Sequence, residues 1–448
     1  MTTYPPSTSS FKKPTTFTLG KTVLRAALFA LLVPICGTNG LAAWNPDPVV
    51  PNGYGVQLKG ECDSAEHLDR VKELGVKWVR RGFLWNAVEP TKGTYTFTQF
   101  DRFVKDCQAR GLRIVGVVAL QNKNYGHPKD EPGRSAFVKY AAALAERYKD
   151  SDIVWEIWNE PNTMTFWGKH GPKGNSESYA EEYLSLVKAV VPAMKKANPK
   201  CLIMGGSVSN MWTKSYEWME YSFNKGILKT GIDIWSVHPY GLKSPEDYIE
   251  AYAIMRKAMV AAGGPADFPV ANTERGFPLM RDGEGYAGGD ESMATEYQAW
   301  HLVRQYLIDT LSNVSPTIWY EWAGKDDKKG FSLFKSGAPP TPAFNACKTL
   351  IEQLKGFHLD KRVDLNAPRD FALRYINPAG GVRLVVWTAP PPHESPDKTI
   401  NHSVKIPAEG ATTMQVVDIF GKKSSVKASG GSVEIALTGS PQYLIVKE

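Results

Sequence analysis

Short apolar runs alternate with longer amphipathic stretches along most of the chain. The runs Gly53–Lys59, Val76–Phe83, Leu112–Leu120, Ile153–Trp158, Leu202–Ser207, Ile232–Val237, Pro269–Asn272 and Pro316–Tyr320 are rich in β-branched and aromatic residues. Their weak alternation predicts parallel strands buried on both faces. Helical periodicity marks Ser64–Leu74, Phe137–Tyr148, Tyr179–Lys196, Ser244–Ala262 and Met293–Leu311, and Ala343–Lys355 closes the last unit. Eight such units predict a closed (β/α)8 TIM barrel, whose functional residues belong at the C-terminal ends of the strands. An open doubly wound sheet needs a glycine-rich phosphate loop after its first strand, and Gly53-Tyr54-Gly55 supplies none.

From about Gly356 the pattern changes to short strand-like pieces (Phe371–Ile376, Val382–Trp387, Met414–Ile419, Ser432–Leu437 and Tyr443–Val446) separated by Pro/Gly/Ser turns. This predicts a C-terminal all-β sandwich. The expected organisation is a leader over 1–43, a barrel over 44–355 and a β-sandwich over 356–448.

Candidate chemistry stands where the strands end. The fourth run reads Trp155-Glu156-Ile157-Trp158-Asn159-Glu160-Pro161-Asn162, and the seventh leads into Thr273-Glu274-Arg275-Gly276. Glu160 and Glu274 are three units apart, so a barrel sets them across its mouth. Two carboxyls flanking a bond, one protonated and one ionised, are what glycosidic cleavage needs. Glu156 and Glu321 compete for these roles: Glu156 lies deeper and suits an interior arginine, and Glu321 ends near the mouth.

WEIWNEPN followed by a strand-seven glutamate resembles the clan A glycoside hydrolases, most closely family 39 and the Psl-type exopolysaccharide endoglycosidases grouped with it. The resemblance spans roughly Gly53 to Lys355. It implies retaining hydrolysis of β-glycosidic bonds, with Glu160 as acid/base and Glu274 as nucleophile. It further implies that Asn159 bonds the sugar 2-hydroxyl, that Arg80 keeps the nucleophile ionised, and that His238 and Tyr240 stand beside the nucleophile. Arg81, next in sequence, is the alternative to Arg80. Trp319 or Trp322 is the implied sugar-stacking platform, with Trp167 in the loop after strand four as a further substrate contact. Glu160 is expected to face Trp158 or Trp167. The rival reading, a carbohydrate-binding or exopolysaccharide-assembly protein on a degenerate barrel, predicts loss of one carboxylate, and both are present. The motifs do not choose among bacterial exopolysaccharide, plant β-glucan, mannan and xylo-oligosaccharide.

The formal charge of +7 changes meaning once the N-terminus is considered. Residues 1–43 hold Lys12, Lys13, Lys21 and Arg25 with no acid, so the rest carries only +3 and gives no reason to expect nucleic acid. That basic start, the apolar run Ala26–Val33 and small residues around Gly40–Ala43 predict a secretory signal peptide. Cleavage would leave a secreted or periplasmic protein without a membrane span; lipid attachment at Cys36 is the alternative. The remaining cysteines, Cys62, Cys107, Cys201 and Cys347, match no zinc spacing. They are read as buried thiols or one or two bridges. No metal and no cofactor are expected, the partner is a polysaccharide or oligosaccharide, and the protein is expected to be a monomer. Lys169, His170 and Lys173, in the loop after strand four, are candidate contacts for an acidic polymer.

Overall fold

The computed structural model describes residues 47–168, 176–281, 285–324, 327–392, 394 and 400–448. The leader expected over 1–43, with Cys36, and the loop residues Lys169, His170 and Lys173 lie outside the described residues.

Eight parallel strands close into a barrel: β1 Tyr54–Gln57, β2 Trp78–Gly82, β3 Arg113–Val118, β4 Ile153–Ile157, β5 Leu202–Ser209, β6 Ile234–His238, β7 Val270–Arg275 and β8 Val314–Trp319. Neighbours pair in sequence order, and β1 closes the ring by pairing with β8. Each strand starts and ends within three residues of an apolar run. Helices fill the connections, including Thr98–Ala109 and Thr213–Asn224, which the sequence pattern did not single out. Ser64, Asp290 and Thr341 cap the helices Ala65–Leu74, Glu291–Leu311 and Pro342–Leu354 by accepting a backbone N–H of the first turn.

Inside the barrel, Trp78, Val115, Val154, Met204, Ile234, Ala271 and Ile318 form one apolar layer, one residue from each of β2 to β8. Each larger aliphatic among them contributes roughly 1.5–3 kcal/mol by leaving water. β1 supplies Gly55 instead: a Cβ there would come within 2.6 Å of Trp78 and 2.5 Å of Ile318. Glycine is thus what lets β1 lie this close to β2 and Ile318.

Beyond the barrel, β9 His358–Arg362, β10 Asp370–Ile376, β11 Val382–Thr388, β12 His402–Pro407, β13 Thr413–Val417, β14 Lys423–Lys427, β15 Ser432–Leu437 and β16 Gln442–Lys447 build an antiparallel sandwich. Its six-stranded sheet runs β9-β10-β11-β16-β13-β14, and β12 and β15 form the other layer. Period-two alternation divides the larger sheet. Ala372, Leu384, Val386 and Leu444 face the small layer, whereas Phe371, Leu373, Tyr375, Val385, Trp387 and Tyr443 join the barrel's outer core. The fold is therefore the expected TIM barrel with a C-terminal sandwich. Cys62, Cys107, Cys201 and Cys347 are all buried free thiols.

Candidate active site

Two residues above the apolar layer, the same alternation turns polar side chains inward: Gln57, Arg80, Glu156, Ser236 and Thr273, all buried. Arg80 is their hub. Its Nε donates to Glu156 Oε2 at 2.7 Å, and Nη1 donates to Gln57 Oε1 and Glu274 Oε2 at 2.8 Å each. Nη2 donates to Asn159 Oδ1 at 2.9 Å. Thr273 Oγ1 donates to the other Glu156 oxygen at 2.6 Å. Burial pushes the Glu156 carboxyl up, but the charges of Arg80 and His238 outweigh it and hold the group below its ordinary range. Glu156 is thus the deep partner of an interior arginine, as its position suggested. Arg81 points the other way, with Nε on Asp63 Oδ1 at 2.7 Å and its guanidinium 4.8 Å from the Phe100 ring.

Strand β4 ends at Ile157, and the motif beyond it is not extended. Trp158 (φ 70°) and Glu160 (φ 48°) are left-handed, a conformation costing about 1–3 kcal/mol each for a residue with a Cβ. Alternation therefore fails here. Trp158 leaves the barrel interior and packs on His127, Phe137 and Trp167. Glu160 turns to β5 and β6: its N–H donates to Ser207 O at 3.0 Å and its Oε1 lies 3.1 Å from His238 Nδ1. His238 Nε2 in turn lies 3.2 Å from Ser207 Oγ, 3.1 Å from Thr273 Oγ1 and 3.4 Å from Arg80 Nη2. His238, expected beside the nucleophile, has a ring nitrogen within 4.8 Å of a Glu274 oxygen and is hydrogen-bonded to Glu160, whose strand end lies across the intervening β5. Tyr240 does meet Glu274, its hydroxyl donating to Oε1 at 3.3 Å. Desolvation, reinforced by the Glu274 charge, pushes that phenol well above its ordinary range and keeps it a donor.

One atom each of Glu160, His238 and Glu274 all lie within 4.8 Å of one another. Sequence spacing gave no hint of this three-donor cluster. The guanidinium of Arg80, 2.8 Å from Glu274 and 3.4 Å from His238, already brings the positive charge such donors attract.

The three expected tryptophan contacts are corrected by burial. Trp167 is wholly enclosed against Trp158 and Tyr183, its Nε1 donating to Glu182 Oε2 at 2.8 Å. Trp319 is buried against His301, and Trp322 stacks on Phe334 with Nε1 donating to His67. Indoles that fill the space between strands and helices have no face left for a sugar. Glu321 is also withdrawn, buried and 2.6 Å from Lys59 Nζ. What does line the open cleft of about 500 Å³ beside Arg80, Asn159 and Glu274 is Leu84, Phe166 and Tyr320. Gln57 and Thr273 were missed from sequence, although their parity with Arg80 and Glu156 marks both as inward-facing. Ser207 carried no such signal, being left-handed itself (φ 51°).

A family model, Cellulase (glycosyl hydrolase family 5), matches residues 47–326, which span the barrel through β8 and both carboxylates. The chain belongs to that family. It is accordingly a clan A member, as WEIWNEPN implied. Its fold is similar to that of a family 39 glycoside hydrolase from Bacteroides cellulosilyticus WH2. That likeness has 20% identity and a TM-score of 0.69, and covers 88% of this chain and 81% of the other. A monomeric β-xylosidase from Caulobacter crescentus CB15 is similar in fold at 14% identity and a TM-score of 0.62, over 89% and 97% of the two chains. In sequence this clan A protein is 25% identical over 210 residues to a β-xylosidase of Geobacillus stearothermophilus. That stretch is 40% of each chain, so the match spans less than half of the relative's length. Among the described residues no helix is long and apolar enough to cross a membrane.

Proposed function

We infer that the protein hydrolyses β-glycosidic bonds of a polysaccharide or oligosaccharide with retention, Glu160 acting as acid/base and Glu274 as nucleophile. The observation that carries this reading is the separation of the two carboxylates, oxygen to oxygen within 4.8 Å. Retaining pairs stand about 5–5.5 Å apart, whereas inversion needs ~6.5–9.5 Å to admit a water between sugar and base. In the first step the Glu160 proton passes to the leaving-group oxygen, the glycosidic C–O bond breaks and Glu274 bonds the anomeric carbon. In the second, Glu160 takes a proton from water as the water oxygen displaces Glu274. Arg80 and Tyr240 hold the nucleophile in place between two donors. Arg80 also fixes Asn159 Oδ1, which leaves the Asn159 amide nitrogen to donate to the sugar 2-hydroxyl.

The N-terminal basic and apolar segment supports export to the periplasm or medium, and an exported enzyme with this motif fits a bacterial exopolysaccharide. The β-xylosidases among the similar proteins support xylo-oligosaccharides as the second substrate class, and the monomeric one supports a monomer. The test is hydrolysis of exopolysaccharides, β-glucans, mannans and xylans by wild type, Glu160→Gln and Glu274→Gln, with the first-formed anomer read by proton NMR. The expected result is cleavage of one polymer to a β-anomer, with each variant losing on the order of 10³-fold or more. Cleavage surviving in Glu274→Gln would overturn the nucleophile assignment. An α-anomer formed first would overturn retention.

A further inference from the structure

The cleft beside the carboxylates is one-sided. Gln57, Arg80 and Glu274 line it from β1, β2 and β7, with Asn159 and Tyr320 just beyond the ends of β4 and β8, and Glu160 does not. The sugar attacked by Glu274 belongs in that cleft. Glu160 instead leans to the opposite arc, bonded through its backbone to β5 and through its carboxyl to β6. The group that takes its proton must leave along that arc.

There the loop after β5 carries Trp212, and it is the single tryptophan left exposed, at 57%, among the described residues. The eleven other described tryptophans are buried, so exposure of this indole departs from how the rest of the chain uses the residue. Its backbone is also built in. Asn162, two residues beyond Glu160, donates Nδ2 to Ser209 O at 2.8 Å and accepts Ser209 N–H at 2.9 Å. From the other side, Asn210 N donates to His238 O at 2.9 Å and Met211 N to Tyr240 O at 3.1 Å. Trp212 then caps the helix Thr213–Asn224 in an extended conformation, with Gly241 (φ 85°) beside its ring. The loop bearing the exposed indole is thus bolted to the acid's own motif and to the strand that supplies His238 and Tyr240.

We propose that Trp212 is the stacking platform for the sugar on the leaving-group side, so that the substrate carries at least one pyranose ring beyond the scissile bond. A flat indole matches the apolar C–H face of an equatorially linked β-sugar, and its fixed backbone spares the ordering cost of binding. This rests on the assignment of Glu160 as acid and names a substrate class for it: an internal or sugar-terminated linkage rather than a glycoside of a small non-sugar group.

The test compares xylotetraose, cellotetraose and mannotetraose with the matching β-glycosyl fluorides, whose leaving group has no ring to stack. Trp212→Ala is expected to lower the ratio of kcat/KM on the cleaved tetraose to that on its fluoride by roughly ten-fold or more. Trp212→Phe should stay within about three-fold of wild type, and the surface control Ile254→Ala should not differ from it. Calorimetric titration of the tetraoses into Glu274→Gln, with and without Trp212→Ala, should show a comparable weakening of Kd. A folded Trp212→Ala protein with ratio and Kd within two-fold of its parent overturns the platform, as does failure of the Glu274→Gln protein to bind any tetraose. If no fluoride or tetraose is hydrolysed while tetraoses bind, the double-displacement reading falls, and the Kd comparison still decides Trp212.

Discussion

Two buried arginines anchor this molecule, and their surroundings differ in one respect. Arg304, on the helix Glu291–Leu311, grips both oxygens of Glu246 at 2.7 and 2.5 Å, and Trp387 of the sandwich donates Nε1 to the same carboxylate at 2.8 Å. Burial pushes Glu246 up, and the facing guanidinium brings it below its ordinary range. Every member of that seam is enclosed. Arg80 is as deeply buried and just as well bonded, but one of its carboxylates, Glu274, keeps 14% of its side chain open to the cleft. A sealed ion pair fixes how two layers register; an unsealed one holds a charged group ready for a ligand. Burial of a pair is costly in either place, so the pair alone says little about function, and the open member says much.

The largest expected effect separates the two centres by activity. Arg80→Met should lower kcat/KM on the order of 10³-fold, since it removes the donor on Glu274 and frees Asn159. Arg304→Met should leave kcat within about two-fold at temperatures where it is folded. Assays below both melting temperatures decide this, and an equal loss in Arg304→Met would erase the distinction. Next comes stability. Each single change should cost about 3–5 kcal/mol in urea unfolding, because Glu156 or Glu246 is stranded without a counter-charge. Adding Glu246→Leu to Arg304→Met should recover most of that loss with activity kept. Adding Glu156→Leu to Arg80→Met should recover stability but no activity.

The smallest effect concerns a buried carboxyl with no ion pair among the described residues. Asp309 lies on the same helix as Arg304, held by Tyr252 at 2.9 Å, Asn272 at 2.8 Å and Thr317 at 2.6 Å. Burial raises its carboxyl from 3.8 to about 6, and those three donors only moderate the rise. The folded state therefore keeps a proton that the unfolded chain has already released. Stability from this group is complete below about pH 4 and declines through pH 6, on the order of 3 kcal/mol in all. Asp309→Asn should flatten that part of the urea-unfolding profile between pH 4 and 7. An unchanged slope would mean that a charge compensates Asp309 after all. Glu156 behaves with the opposite sign, its contribution being present above the ordinary carboxylate range and lost as acid protonates it.

The barrel was legible because each strand is an apolar run and each inward position follows period two; Trp78, Arg80 and Val154, Glu156 obey it. The candidate carboxylates were legible because Asn-Glu-Pro-Asn leaves one such run. Legibility ended where the backbone left the strand. Trp158 and Glu160 take positive φ, so parity could not aim them, and the hydrogen bond between Glu160 and His238 was out of its reach. The strands β9, β12 and β14 were missed because they are short and largely exposed, with too few apolar positions to register. Tryptophans misled in both directions: Trp167, Trp319 and Trp322 stand near strand ends but face inward to helices, whereas Trp212 sits in an unremarked Asn-Met-Trp-Thr loop.

The sequence alone determined the eight-unit barrel, the trailing sandwich and the two glutamates at opposite strand ends, since these follow from periodicities and from polar residues interrupting apolar runs. Only the tertiary structure decided that Arg80 rather than Arg81 bonds Glu274, that His238 bonds Glu160, and which indole meets solvent. Those outcomes depend on distances between residues 30 to 200 positions apart and on local φ values, and a linear pattern carries neither.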